Sequence, residues 1–333
     1  MKVLFNCHTP FMLAHGGGQI QIEQTMAALH KIGVSVEPLR WWDENQTGDF
    51  LHHFGRIPMG LVVPAQQKGM KVVLADLLTE MGSRSASRLR LQRIVTRAMQ
   101  CILPASVLTP FNWQSYRRVD ACLVNTPLEA HLIHYVYGAP EQRVHIVPNG
   151  VEDVFFQSPP AQRGSWLVCT ATITPRKRVL ELARSALEAQ TPLWVIGKPY
   201  NAGDPYADRF FQLAKRNPEV LRYEGAIASR TELARVYRAA RGFVLLSMME
   251  TRSLSAEEAA ACECPLLLSD LPWARNVFKE RATYCPVSGS DQATAKVLRQ
   301  FYNLAPTSKP PPKPVSWVAV AKQLKTIYES ITR

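Results

Sequence analysis

Gly16-Gly-Gly-Gln-Ile-Gln-Ile-Glu-Gln-Thr-Met-Ala-Ala-Leu-His-Lys-Ile-Gly-Val-Ser-Val36 decides the architecture. Three glycines open a predicted helix over 19–31, in which Ile22, Met26 and Leu29 recur at helical spacing. Gly33 stops the helix, and Val34-Ser35-Val36 reads as a strand. Ahead of the glycines stand another strand, Val3-Leu4-Phe5, and a loop rich in turn formers. Strand, glycine loop, helix and strand make a βαβ unit, which implies a parallel sheet.

Working outward, the pattern repeats. Strands are predicted at 49–54, 71–75, 121–124 and 145–147, the last running into the turn Pro148-Asn149-Gly150. It then restarts with a strand at 166–170, a turn at Thr174-Pro175 and a helix carrying Val179, Leu182, Ala183 and Ala186. Further strands are predicted at 193–196, ending at Gly197, at 242–246 and at 265–268. Continuous apolar strands of this kind are buried on both faces by helices. The expected fold is α/β, with two Rossmann-like doubly wound domains, 1–150 and 151–308, placing ligands at the carboxyl ends of their strands. Residues 309–333 would be a stiff proline-rich linker (Lys309-Pro-Pro-Pro-Lys-Pro314) and a terminal helix over 317–331 that packs back on the first domain.

Composition bounds the reading. The chain has 333 residues, 47% hydrophobic and 20% charged, enough for two cores. Seven Trp, ten Tyr and twelve Phe argue against disorder. No run of 18 apolar residues predicts a membrane-spanning helix, and the opening Met-Lys-Val-Leu-Phe-Asn-Cys-His breaks off too early for a signal peptide. A cytoplasmic protein is expected. Seven scattered cysteines without a CxxC pair disfavour a disulfide framework or zinc module. Cys262-x-Cys264 reads as two small buried side chains. A net charge of +12 favours anionic partners, and the excess is local: 81–119 holds seven Arg and no Asp, Glu or Lys.

The chemistry centres on Glu250-Thr-Arg-Ser-Leu-Ser-Ala-Glu-Glu258, directly after a strand and opening a helix. Glu250 is expected in the loop and Glu258 in the first helical turn. A helix start offers free N–H groups and partial positive charge, which suits a diphosphate, and a carboxylate beside it can accept both hydroxyls of a ribose. Equally, Ser255-Ala-Glu-Glu258 reads as a capping box, and the two roles are compatible. Arg176-Lys177-Arg178 at a helix start opposes the macrodipole unless a phosphate reverses the penalty; otherwise it is a solvated face. His52 and His53 sit at a predicted strand end, while His131-x-x-His134 reads as a helix face. Gly16-Gly17-Gly18 lacks GxGxxG and follows too long a loop for a dinucleotide site. No Asp-x-Asp occurs.

Together these segments resemble the retaining GT-B glycosyltransferases of family 4. The resemblance rests on Glu-x7-Glu followed by Ala259-Ala260-Ala261 and Pro265, on Gly17-Gly18 with Ala28-Leu29 and residues 33–36, and on Val147-Pro-Asn-Gly-Val-Glu152 with Phe155. Thr172-Ile-Thr-Pro-Arg-Lys177, Val195-Ile196-Gly197, Glu224-Gly225 and residues 233–237 complete it, over about 3–285 plus the terminal helix. Departures are equally specific. The diphosphate Arg of the family falls at Thr172, the usual Phe-Gly at Arg252-Ser253, the usual Gly before the next strand at Glu263, and a frequent His at Asp76.

The resemblance implies a retaining, metal-independent transfer of a sugar from a nucleotide sugar to a hydroxyl of a glycan or lipid-linked acceptor, with no cofactor. Glu250, Lys177 and His52 would be catalytic. Glu258, Arg176, Arg178, Ser253, Leu254, Ser255, Gly197, Gly17 and Gly18 would bind the donor, and Asp76 would stand on the acceptor side. A nucleotide-sugar epimerase and a non-catalytic sugar-binding subunit are the rival readings; product analysis without acceptor, and hydrolysis of a nucleotide-sugar panel, separate them. Arg84, Arg88, Arg93 and Arg97 read as a basic face. It is either an exposed face over a core stripe of Leu91, Ile94, Val95, Ala98 and Ile102, or a contact for anionic lipid at the inner membrane face or for an anionic acceptor. No nucleic-acid recognition motif appears.

Overall fold

The computed structural model describes the chain except residues 9, 10, 12–15, 77, 79, 80, 82, 83, 85, 109, 110, 158 and 333, and describes 105 and 106 by backbone alone. Most of the loop before Gly16 therefore lies outside the described residues. Two compact units emerge, Met1–Gly150 with Trp317–Arg333, and Val151–Ser316.

The first unit holds six parallel strands, β1 (Lys2–Cys7), β2 (Ser35–Pro38), β3 (Phe50–Phe54), β4 (Lys71–Ala75), β5 (Ala121–Val124) and β6 (Val144–Ile146). Their order in the sheet is β2-β1-β3-β4-β5-β6. The second unit holds β7 (Leu167–Thr170), β8 (Leu193–Ile196), β9 (Leu221–Tyr223), β10 (Gly242–Leu245), β11 (Leu266–Ser269) and β12 (Thr283–Cys285), ordered β12-β11-β10-β7-β8-β9 and again all parallel. The chain reverses its direction of travel across the sheet between β1 and β3, and between β7 and β10. Such switch points open a crevice at the carboxyl ends of the strands. Every residue of β5, β7, β10 and β11 is buried, as strands covered on both faces require.

The terminal helix Trp317–Thr332 belongs to the first unit. It packs on the helix Gly17–Lys31 and buries Val320, Leu324 and Tyr328. Its entry is fixed at Gly150, where a Cβ would stand 2.6 Å from the Trp317 backbone nitrogen. The proline-rich stretch divides from this helix after Ser316, not before Lys309. The reason is a tie to the second unit's first residue: Val151 N donates to Val315 O at 2.9 Å.

Two expectations are corrected. The helix Ala86–Ile102 buries only Thr96 among its described side chains, so residues 91, 94, 95, 98 and 102 form no core stripe. The arginines do not share one face either. Arg93 stacks 4.4 Å over the Tyr135 ring and Arg97 donates to His134 O, both turned toward the segment Ile133–Tyr137; Arg88 and Arg93 are exposed and Arg97 is half-buried.

Candidate active site

In the second unit, β7 is followed by a turn, Pro175–Lys177, and then the helix Val179–Glu188. The turn has a geometric cause: Arg178 adopts a left-handed φ of 54° and ends it. Arg176 O accepts from Met248 N at 2.8 Å, which joins this turn to the loop after β10. Across that join Lys177 Nζ donates to Glu250 Oε1, and Arg176 Nη1 donates to Glu250 Oε1 at 3.2 Å and to Met249 O at 3.0 Å. Side chains following the two strands that flank the switch point thus meet. Arg178 is not part of this cluster, because its Nη1 donates to Val287 O at 2.6 Å. Two buried hydroxyls, Ser247 Oγ and Thr174 Oγ1, sit in the same loops and make no hydrogen bond among the described residues.

The helix after β10 is Leu254–Ala261, capped by Ser253, whose Oγ accepts from Ala256 N. The capping box at Ser255 is therefore corrected: Ser255 lies inside the helix and its hydroxyl contacts Ser253 Oγ at 3.1 Å. Glu258 is the fifth helical residue, past the first turn where it was expected, and is 5% exposed. Arg230 donates to Glu258 Oε1 through Nη2 and to Glu152 Oε1 through Nε at 2.7 Å, while Tyr237 OH reaches Glu258 Oε2 at 3.4 Å. Burial raises the Glu258 carboxyl above its ordinary range, and Arg230 works against that rise. Next to it, fully buried Glu257 is raised by burial and opposed by Arg252, which pairs with its Oε1. The Arg252 departure is therefore matched by a carboxylate five residues on. Gly197 closes β8 with a Cβ position 1.9 Å from Ala171 O, so its lack of a side chain has a packing cause.

Arg230 went unnoticed in the sequence. The signal available was Ser229-Arg-Thr-Glu232, a helix start with Ser229 Oγ accepting from Glu232 N, but nothing local ties it to a carboxylate 28 residues away.

In the first unit, His52 lies within β3, is 1% exposed, and shares a 2.6 Å hydrogen bond from Nδ1 with Tyr328 OH. Its Nε2 is buried and has no hydrogen-bond partner among the described residues. His52 and Asp76 line one recess with Gln21, Thr25, Asn149 and Trp317. Asp76 accepts from Tyr116 OH, and Arg56 Nε stands 3.9 Å from it. Arg56 itself lies over the stacked Tyr116 and Tyr137 rings. Gly17 and Gly18 begin the helix that supplies Gln21 and Thr25, and both are exposed. Among the described residues no group of three or more His, Cys, Asp and Glu is placed to hold a metal ion.

Burial, with a smaller contribution from neighbouring His53, lowers His52 to about 3, and burial with His8 lowers His53 to about 4. Both stay neutral when folded, whereas the unfolded chain protonates them near their ordinary value of 6.5. Their stabilisation is therefore complete above that value and is lost as pH falls toward 4. The pair is expected to lower stability by about 2.7 kcal/mol per pH unit between roughly pH 6 and 5. Urea unfolding of the first unit at pH 7, 6 and 5 reads this slope; a midpoint that does not move would refute it.

Comparison with known proteins adds a family. Residues 153–312 match the profile of the family described as Glycosyl transferases group 1. No curated protein sequence matches the chain significantly. Among solved structures, sucrose-phosphate synthase from Thermosynechococcus elongatus is similar over 100% of this chain and 99% of its own, with TM-score 0.69 and 16% identity. Anabaena Alr3699/HepE in complex with UDP is similar over 100% and 98%, with TM-score 0.67 and 13% identity. A glycosyltransferase from Rickettsia africae covers 99% and 98%, with TM-score 0.64 and 10% identity. Both six-stranded sheets and their connections are accounted for by this architecture. The chain thus has the GT-B fold, and its residues 153–312 match the family described as Glycosyl transferases group 1.

Proposed function

We propose that the protein is a retaining glycosyltransferase that moves a sugar from a nucleoside diphosphate sugar to a hydroxyl of a glycan or lipid-linked acceptor, without a metal ion. The observation that carries this reading is the meeting of Lys177 and Arg176 with Glu250 at the β7/β10 switch point. Structures of Alr3699/HepE with UDP and with UDP-glucose support a nucleotide-sugar donor. Lys177 and Arg176 carry the charge that a departing diphosphate needs neutralised, and the unpartnered Ser247 and Thr174 hydroxyls add donors beside them. The bond from the anomeric carbon to the β-phosphate oxygen breaks. The acceptor oxygen bonds to that carbon on the same face, and its proton passes to the departing diphosphate. Glu250 both holds the two cations and accepts from donor-sugar hydroxyls. Glu258, oriented by Arg230, accepts from the ribose; Gly197, Ser253, Leu254 and Ser255 form the surrounding donor wall. Arg178 contributes positive potential from its place on Val287. In the first unit Asp76 and His52 face the acceptor in their shared recess, with Gly17 and Gly18 at the helix start beside it. All seven cysteines are free and five are buried, which suits the reducing cytoplasm.

Glu258→Ala is expected to weaken nucleoside diphosphate binding about tenfold, because a charged hydrogen-bond acceptor is lost. Calorimetry with UDP, GDP and ADP on both proteins tests the assignment. Unchanged affinity for whichever nucleotide the parent binds would remove Glu258 from the site.

A further inference from the structure

The loop that follows β2 holds two tryptophans in water: Trp41 and Trp42 are 73% and 84% exposed. They are the central pair of a turn, Arg40-Trp-Trp-Asp43, closed by Asp43 N donating to Arg40 O at 3.3 Å. Turns favour Gly, Pro, Asn, Asp and Ser, so a tryptophan pair there has no local cause. The turn is also braced. Arg40 donates to Asp43 Oδ2 through Nε at 2.9 Å and Nη2 at 2.7 Å, and to Glu37 Oε2 through Nη1 at 3.1 Å. Gln46 Oε1 accepts from Arg40 N at 2.8 Å, and Gln46 Nε2 donates to Pro38 O at 2.9 Å. Two large rings are thus set at the tip of a fixed turn, where little further ordering is needed on binding.

We propose that Trp41 and Trp42 form a subsite for an uncharged glycan, holding units of the acceptor remote from its reacting end; the choice of a glycan rests on the sugar-transfer reading. A pyranose offers apolar C–H faces to stack on an indole and hydroxyls that donate to carboxylates. Glu44, two residues after Trp42, is exposed. Charge decides against other classes of partner. Residues 37–49 hold four carboxylates and one cation, Arg40, in a chain of net charge +12. That cation is occupied in bracing the turn. An anionic bilayer, a nucleic acid or an acidic glycan would therefore meet like charge here. Position supports an acceptor. The turn leaves the carboxyl end of β2, and Asp76 leaves the same end of β4, three strand spacings or about 15 Å across the sheet. A glycan whose reacting end faces Asp76 can then lay its later units on the pair.

Calorimetry of the full chain is run without donor against neutral hexasaccharides of glucose, mannose, galactose and N-acetylglucosamine. At least one is expected to bind, with an affinity unchanged between about 0.05 and about 0.5 M salt. Trp41→Ala and Trp42→Ala should each lower that affinity about tenfold, and the double variant should lose more. Both side chains are exposed, so melting temperatures should stay at the parent value and show that the variants fold. No binding by any hexasaccharide, or a double variant that binds as the parent does, would overturn the proposal. Vesicle binding or self-association that disappears in the double variant, with no glycan bound, would also overturn it, in favour of a lipid surface or a second copy. The two readings fail separately. Glycan binding by a chain that transfers no sugar would remove the sugar-transfer reading and keep the glycan site. Sugar transfer by a chain that binds no hexasaccharide would do the reverse.

Discussion

Lys177→Ala is expected to lower kcat for sugar transfer by about 10²–10³-fold, with a far smaller loss of nucleotide affinity. The asymmetry follows from when charge appears. On the proposed mechanism the diphosphate of a bound donor would already share its charge with helix N–H groups and Arg176. As the glycosidic bond breaks, further negative charge gathers on the leaving oxygen, and the nearest ammonium then matters most. Lys177 is well placed for this, since its side chain is only 13% exposed and Glu250 holds it. The nucleotide sugar is first chosen by thermal shift across UDP-, GDP- and ADP-sugars; turnover and nucleotide affinity are then measured on both proteins. A variant within about fivefold of the parent kcat would show that Lys177 does not act on the leaving group. Glu250→Gln serves as the companion. If Glu250 also contacts the donor sugar, adding it to Lys177→Ala should cost more than the removal of a mere tether would.

The second large effect is structural. Gly197→Ala is expected to destabilise the second unit by about 3 kcal/mol or more and to lower its melting temperature by roughly 10 °C. Gly197 has φ +153°, and an added Cβ would stand 1.9 Å from Ala171 O. Neither neighbour can withdraw easily. Ala171 N donates to Ile196 O at 3.1 Å, Gly197 N donates to Gly225 O at 3.0 Å, and Ile173 N donates to Lys198 O at 3.2 Å. Those ties also steady the segment leading to Arg176 and Lys177. Differential scanning calorimetry separates the two roles this glycine could have. Lost nucleotide binding at an unchanged melting temperature would mean that it serves only the ligand.

Much of this was legible in the chain, for definable reasons. Runs such as Val72-Val73-Leu74 and Leu266-Leu267-Leu268 are fully buried, and a strand covered on both faces has no choice but to be apolar throughout. β9 and β12 escaped notice because each has three residues, and Leu-Arg-Tyr and Thr-Tyr-Cys carry too little periodicity to stand out. The short reach of local patterning explains the other differences. Ser253 and Ser255 are both credible caps, and only the backbone turn selects the first. Periodicity located the apolar stripe of Ala86–Ile102 but could not say which way it faces, since inward and outward stripes have the same period. The pairing of Glu258 with Arg230, and of Glu152 with the same guanidinium, joins three separate segments. Such partners are set by packing and leave no spacing to read.

The position of helix Trp317–Thr332 has a consequence for biosynthesis. It covers His52 through Tyr328, and through Val320 and Leu324 it completes the apolar layer beside the helix Gly17–Lys31. On the ribosome, the Rossmann half made first must therefore wait, with that groove uncovered, until the whole of the other half has been translated. The half made second has no such debt and can close as soon as it emerges.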